Sequence, residues 1–357
     1  MGYKTLDKTR CRLESRDDGG TGDIMVRLPQ PHAVAFPVER TLRETATMNF
    51  ISLNNGIPIP RVLSSGKFTP HPEIGRWPFI IIPYVENCGG MSQPLTAHFE
   101  DLNEDQRFKP EISEDVLEEL YCCLSDTALR TWVHAYDVSD LLVKIATGDM
   151  RNLHSRWWDS QYHEHELTAL AEAHMAQLVF QHNDMVTSED DCRNKYVARR
   201  LFPRLAKQGQ QSIFGIAEDD WLWCDDLQPH NVLFNDAGDT AAVIGWGVLR
   251  YAAPTQFSLD PPWCLLFENP ECWQTGLADF SKTYDKRVKA WLRSMNKAEP
   301  EKNQKMTRKE TRKRNKAPLR GPTTLCTYMR ESWKTGRFWL NYAARKAVAL
   351  DTIYWSG

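Results

Sequence analysis

The stretch that decides the fold is Asp226-Leu227-Gln228-Pro229-His230-Asn231, preceded by the apolar run Trp221-Leu222-Trp223 and followed by the strand-like Val232-Leu233-Phe234. An aspartate five residues before an asparagine, on a short loop between extended segments, pairs two functions. The carboxylate can accept the proton of a substrate hydroxyl, and the amide oxygen is a hard ligand suited to Mg²⁺. That pairing is the chemistry of phosphoryl transfer. The same chemistry asks for a second metal ligand, an aspartate about 15 residues further along. Here that segment reads Val243-Ile244-Gly245-Trp246-Gly247, with glycine in place of the carboxylate.

Working outward, 357 residues suffice for a substantial core, as one two-part domain or two domains. The charges nearly cancel, with 44 Lys and Arg against 47 Asp and Glu, which argues against electrostatic binding of nucleic acid over the whole surface. The nine cysteines include no C-x-x-C pair and read as reduced thiols with no zinc site. No apolar run approaches the ~20 residues that span a bilayer. Lys4, Lys8 and Arg10 are not followed by the apolar stretch of a signal peptide. Gly2 is four residues from Leu6, where myristoylation wants Ser or Thr. The expectation is a cytoplasmic protein with no membrane partner.

Thr9 to Glu14 and Ile24 to Leu28 flank the turn cluster Asp17-Asp18-Gly19-Gly20-Thr21-Gly22 and predict a β-hairpin. The glycines belong to that reversal rather than to a phosphate cradle, which leaves only Met1 to Thr5 for any nucleotide-covering loop, so the start of the first lobe is expected to be truncated. Leu42, Ala46, Met48, Phe50 and Ile51 predict a helix over Glu39 to Leu53, stopped by Gly56-Ile57-Pro58-Ile59-Pro60. Phe79-Ile80-Ile81-Ile82 is the run of a buried strand, and Asp115 through Ala206 has helical texture. Strands with one helix, followed by a larger helical part, make an α+β architecture. Tyr284 to Pro322 is rich in Lys and Arg and reads as a solvated, partly helical or disordered basic insertion. No aromatic residue interrupts its densest part, Arg308-Lys309-Glu310-Thr311-Arg312-Lys313-Arg314, so nucleic acid is not an expected partner.

Taken together in order and spacing, these segments resemble the aminoglycoside phosphotransferase-like family, and in particular its fungal branch, over nearly the whole chain. The resemblance rests on Met25-Val26-Arg27-Leu28-Pro29, Glu44-Thr45-Ala46-Thr47-Met48, Ile57-Pro58-Ile59-Pro60 and the hinge-like Pro78-Phe79-Ile80-Ile81-Ile82-Pro83-Tyr84-Val85. It continues through His182-Asn183-Asp184, Asp191-Cys192-Arg193, Lys195-Tyr196-Val197-Ala198-Arg199 and Pro261-Pro262-Trp263. It closes on Met329-Arg330-Glu331-Ser332-Trp333, Gly336-Arg337-Phe338-Trp339 and Asn341-Tyr342-Ala343-Ala344-Arg345. The resemblance implies a two-lobed protein-kinase-like fold. Residues 1–90 would form a β-rich nucleotide-binding lobe and 91–357 a mainly helical lobe, with the catalytic loop near 224–247 and the basic insertion near 284–322. It also implies ATP and Mg²⁺ as cofactors and a small-molecule hydroxyl as phosphate acceptor.

Within that resemblance Asp226 is the candidate catalytic base, Asn231 the metal ligand, and Arg27 with Glu44 the basic residue and acidic partner that hold the nucleotide phosphates. Cys224 and Asp225 depart from the family's usual histidine and glycine. Each role has a plain structural counterpart: a turn-capping aspartate, an asparagine closing its own loop, a surface salt bridge between Arg27 and Glu44. The aromatic run Trp333, Phe338, Trp339, Tyr342, Tyr354 and Trp355 reads as core. Two functions stay open. One is an ATP- and Mg²⁺-dependent phosphotransferase, resting on Asp226 and Asn231. The other is a catalytically impaired, pseudokinase-like binding or regulatory protein, resting on Gly245 and Cys224.

Overall fold

The computed structural model describes residues 8–13, 22–29, 37–54, 56–71, 75–95, 112–133, 166–180, 186–211, 221–224, 227–246, 249–253, 259–266, 268–305 and 324–356. The class is α+β, as the order of patterns anticipates: a β-sheet N-terminal region followed by a mostly helical remainder.

Strands β1 (Lys8–Leu13) and β2 (Ile24–Pro29) form the anticipated hairpin, in register from Lys8↔Pro29 to Leu13↔Ile24. The glycine cluster from Asp17 to Thr21 lies outside the described residues, as do Met1 to Thr5. β3 (Ser64–His71) and β4 (Gly75–Pro83) complete a four-stranded antiparallel sheet in the order β1-β2-β4-β3. Side chains alternate along a strand, and directly opposed residues of an antiparallel pair share a face. Ile80 and Ile82 are both buried, and Arg27 is the cross-strand partner of Ile80, so Arg27 lies on the sheet's core face.

Helix α1 (Pro37–Asn54) covers that face. Its buried residues, Thr41, Glu44, Thr47, Met48 and Ile51, recur at helical spacing and form a single stripe. Glu44 belongs to that stripe. The chain then turns at Gly56, and the carbonyl of Pro58 accepts a hydrogen bond from the Val243 amide at 2.7 Å. The Ile-Pro-Ile-Pro segment thus ties the first sheet to the strand leading to Gly245.

The second sheet is small, ordered β5-β7-β8, from β5 (Gly89–Gly90), β7 (Val232–Phe234) and β8 (Thr240–Val243). A two-stranded ribbon pairs β6 (Trp221–Cys224) with β9 (Leu249–Ala253). Around them are α2 (Glu114–Val133), α3 (Glu166–Phe180), α4 (Glu189–Gln211), α5 (Leu277–Lys305), α6 (Leu325–Thr335), α7 (Arg337–Arg345) and α8 (Ala347–Ser356).

The first part of the lysine-rich stretch from Tyr284 is helical, and one face of it is buried rather than solvated. Tyr284 through Lys305 belongs to α5, and Tyr284, Val288, Trp291 and Met295 are all at most 1% exposed. Their spacing of four, three and four builds a core-facing stripe, which leaves the lysines on the other side. Trp291 meets Tyr121 of α2 edge-on at 6.1 Å. The dense run Arg308 to Arg314 lies outside the described residues.

Of the C-terminal aromatics, Phe338 and Tyr342 are core, with Trp333 and Trp339 packed against it. Phe280, Tyr284 and Phe338 stack at 5.4 and 5.2 Å, Trp333 closes on Tyr284 at 4.9 Å, and its indole N–H donates to Asp285 Oδ1 at 2.9 Å. α6 and α7 meet at Gly336, whose φ of 76° ends one helix and starts the next. The buried carboxylate of Asp260 accepts hydrogen bonds on Oδ1 from Ser332 of α6 and, at 3.1 Å, from Asn341 of α7.

Candidate functional site

The site begins at the end of β6. Asp225 and Asp226 lie outside the described residues, so neither the candidate base nor its neighbouring carboxylate is placed here. The loop immediately after them is well anchored. Leu227 is 6% exposed, and its carbonyl accepts from the Sγ of buried Cys264 at 3.1 Å. Sequence reasoning did not single out Cys264. It stands directly after Pro261-Pro262-Trp263, but its reach to the loop is a tertiary fact with no local signal.

Pro229 then starts a single 3₁₀ turn that ends at Asn231, suited by its fixed φ and missing N–H to a first helical position. The Asn231 amide donates to Gln228 O at 2.9 Å. β7 follows at once and pairs with β8 as Val232↔Val243 and Leu233↔Ala242. One further hydrogen bond, from the Ile244 amide to Asn231 O at 2.8 Å, carries the pairing past the end of β8. That rung sets Asn231 beside Gly245. Trp246 follows, 1% exposed, and its indole N–H closes back on Val243 O at 2.9 Å.

Gly245 has φ +88°, a left-handed conformation that L residues rarely adopt. A Cβ built there would fall 2.5 Å from Nδ2, 2.6 Å from Cγ and 2.7 Å from Oδ1 of Asn231. The whole carboxamide of Asn231, which is 4% exposed, lies against the Cα of Gly245.

The opposite end of the hairpin offers no replacement carboxylate. Asn235 Oδ1 accepts from the amides of Ala237 at 3.0 Å and Asp239 at 2.9 Å, and Gly238 N donates to Asn235 O at 3.0 Å. This fixes Asp236 and Asp239 on an exposed turn. Among the described residues, no group of three or more His, Cys, Asp or Glu could hold a metal ion. Mg²⁺ takes six oxygens in tight octahedral geometry and is ordinarily held through one or two carboxylates. The two ligand positions described here supply one neutral amide oxygen and no carboxylate. They do not fit the ion.

The N-terminal pair looks different. Arg27 Nη1 lies 2.8 Å from Glu44 Oε1, with side chains only 5% and 2% exposed. The plain alternative of a surface salt bridge gives way to a buried pair, because both residues sit on core-facing stripes, one of the sheet and one of α1. Two charges taken out of water hold each other in place, and removing Glu44 takes from the buried Arg27 guanidinium its 2.8 Å partner. The Arg27 Nε makes no hydrogen bond among the described residues.

No protein-family model matches the chain, and no curated protein matches it. Solved structures of similar layout include a macrolide 2'-phosphotransferase type I, 9% identical over 92% of this chain and 82% of that one, with a TM-score of 0.39. Another is a thermostable mutant of aminoglycoside phosphotransferase APH(4)-Ia in its apo form, 14% identical over 100% and 93%, TM-score 0.40. A third is spectinomycin phosphotransferase APH(9)-Ia in complex with ADP and spectinomycin, 11% identical over 95% and 92%, TM-score 0.34. At such identities and TM-scores the likeness decides nothing about this chain, whose chemistry is read from its own residues. Among the described residues, no helix is long and apolar enough to cross a membrane.

Proposed function

We propose that this chain is a nucleotide-binding protein of phosphotransferase-like fold whose metal-dependent catalysis is lost, and which serves recognition or regulation. The observation that carries this reading is the Asn231 carboxamide packed against the Cα of Gly245, where a metal-binding carboxylate would stand. In this reaction class most of the rate comes from metal ions and charges placed around the transferring phosphoryl group. A chain without the bridging carboxylate keeps its shape and loses the charge that fixes the cation. The buried Arg27–Glu44 pair supports retention of the nucleotide side, since a guanidinium held by a carboxylate is oriented for a phosphate at little further entropic cost.

A second reading is favoured by one specific observation, the placement of Asp226 five residues before Asn231. In that reading the chain is an ATP-dependent phosphotransferase acting on a small-molecule hydroxyl. Asp226 would hold the hydroxyl in line with the γ-phosphate and take its proton as the new O–P bond forms. Asp226→Asn would then abolish turnover while leaving the melting temperature unchanged.

Thermal unfolding in the presence of ATP distinguishes the two. A ligand that binds only the folded state stabilises it by about 2.7 kcal/mol at a hundredfold excess over Kd. On the proposed reading ATP raises Tm equally with Mg²⁺ and with EDTA. No shift in either buffer would sink nucleotide binding, and Mg²⁺-dependent ATP consumption lost in Asp226→Asn would establish the second reading.

A further inference from the structure

Gly238 and Gly245 stand at opposite ends of one hairpin and make a natural comparison. Their φ angles, +81° and +88°, both lie in the left-handed region that strains any other residue. A Cβ added at Gly238 would meet nothing within 4 Å, whereas at Gly245 its three nearest atoms are Nδ2, Cγ and Oδ1 of Asn231, all at 2.7 Å or less. Real Cβ atoms essentially never approach so closely, so something must move before position 245 can carry a side chain.

The Asn231 main chain is not free to retreat, being tied at both N and O by its bonds to Gln228 and Ile244. On the Asn231 side, room can come only from rotation of the carboxamide. At 4% exposure that rotation needs space within a packed interior.

We infer that the Asn231 carboxamide is a packing plug that fills the side-chain space of position 245, so that Gly245→Asp alone does not rebuild a metal site. This rests on the preceding reading in one respect, the assignment of position 245 as the place of the absent carboxylate. Its consequence is that the loss of metal binding involves two residues. Asn231 is recruited to packing, and the carboxylate it would have worked with has no room.

The test is a stability cycle with a metal titration beside it. Gly238→Ala reports the cost of a left-handed alanine alone, and Gly245→Ala should lower Tm by clearly more. In an Asn231→Ala background, which deletes all three crowding atoms, Gly245→Ala should cost no more than Gly238→Ala does. Equal costs for the two glycines in the intact chain would overturn the inference. Separately, Mn²⁺ is titrated in the presence of ATP and followed by electron paramagnetic resonance. Gly245→Asp should bind Mn²⁺ no more tightly than the parent chain, and a tenfold tightening would overturn the inference. If Gly245→Asp folds too poorly to titrate, the alanine cycle decides. The cycle needs no nucleotide, so its failure is distinguishable from failure of the functional reading.

Discussion

Two buried pairs of residues stand where phosphate-handling groups are expected, and they are held together differently. Arg27 and Glu44 are joined by a 2.8 Å ion pair, each on the core-facing stripe of its element. Asn231 and Gly245 are joined by contact alone, a carboxamide resting on a bare Cα. The first pair retains both charges. The second has no charge, although main-chain hydrogen bonds hold the hairpin that presents it, from Gln228 through Ile244. The difference teaches that a hairpin keeps its scaffold without charge at its end, because main-chain pairing holds β7 and β8 whatever side chain stands beyond them.

The largest expected effect tests the intact half of that comparison. Glu44→Ala leaves a buried guanidinium without its carboxylate and should cost about 3–5 kcal/mol in urea unfolding, more than the double change Arg27→Met with Glu44→Leu. A loss below about 1 kcal/mol would mean the pair behaves as an exposed one and the contrast fails.

The next effect tests whether the scaffold under the eroded half is sound. Asp260 binds α6 and α7 through Ser332 and Asn341, and four residues on, Cys264 holds the carbonyl of Leu227. Asp260→Ala strands buried donors, each worth about 1–3 kcal/mol. An unfolding midpoint unchanged by it would show the support of the loop to be loose as well. Smaller again is Gly238→Ala, where the backbone alone is strained, at about 1–2 kcal/mol. That value is the baseline against which Gly245→Ala is read.

The smallest effect lies away from both pairs and serves as a control. Burial of the His174 ring pushes its pKa below the ordinary 6.5, against the opposing bond from Nε2 to the Ala344 carbonyl at 3.0 Å. A histidine depressed in the folded state takes up a proton more readily when unfolded. Its stabilisation is therefore fully present above pH 6.5 and is lost as pH falls through the folded pKa. His174→Gln should flatten the fall of Tm below pH 6.5 and leave ATP binding unchanged. An unflattened profile would show that His174 is not the group titrating there.

Much of this was legible in the sequence, for reasons that differ by region. The first hairpin and α1 declare themselves through local periodicity, since the alternation and the three-and-four spacing are the geometry itself. That Gly245 lacks a carboxylate is likewise written in the chain. What Gly245 touches is not, because its contact with Asn231 depends on one extra rung beyond β8 that no local pattern encodes. The burial of Arg27 and Glu44 was hidden for a similar reason: a charged residue on an apolar stripe is legible only once the stripe is counted through it. The same holds from Tyr284, where the lysines of α5 drew attention away from Tyr284, Val288, Trp291 and Met295 among them. Asp226 remains a reading of spacing, outside the described residues.

The most direct measurement is calorimetric titration of the intact chain with ATP, once with Mg²⁺ and once with EDTA. If Gly245 has ended metal-dependent chemistry while the Arg27–Glu44 pair still meets phosphate, the two Kd values agree within about twofold, a difference of less than about 0.5 kcal/mol. Binding that tightens tenfold or more with Mg²⁺ would contradict the account, since the chain would then hold a working cation site despite the glycine.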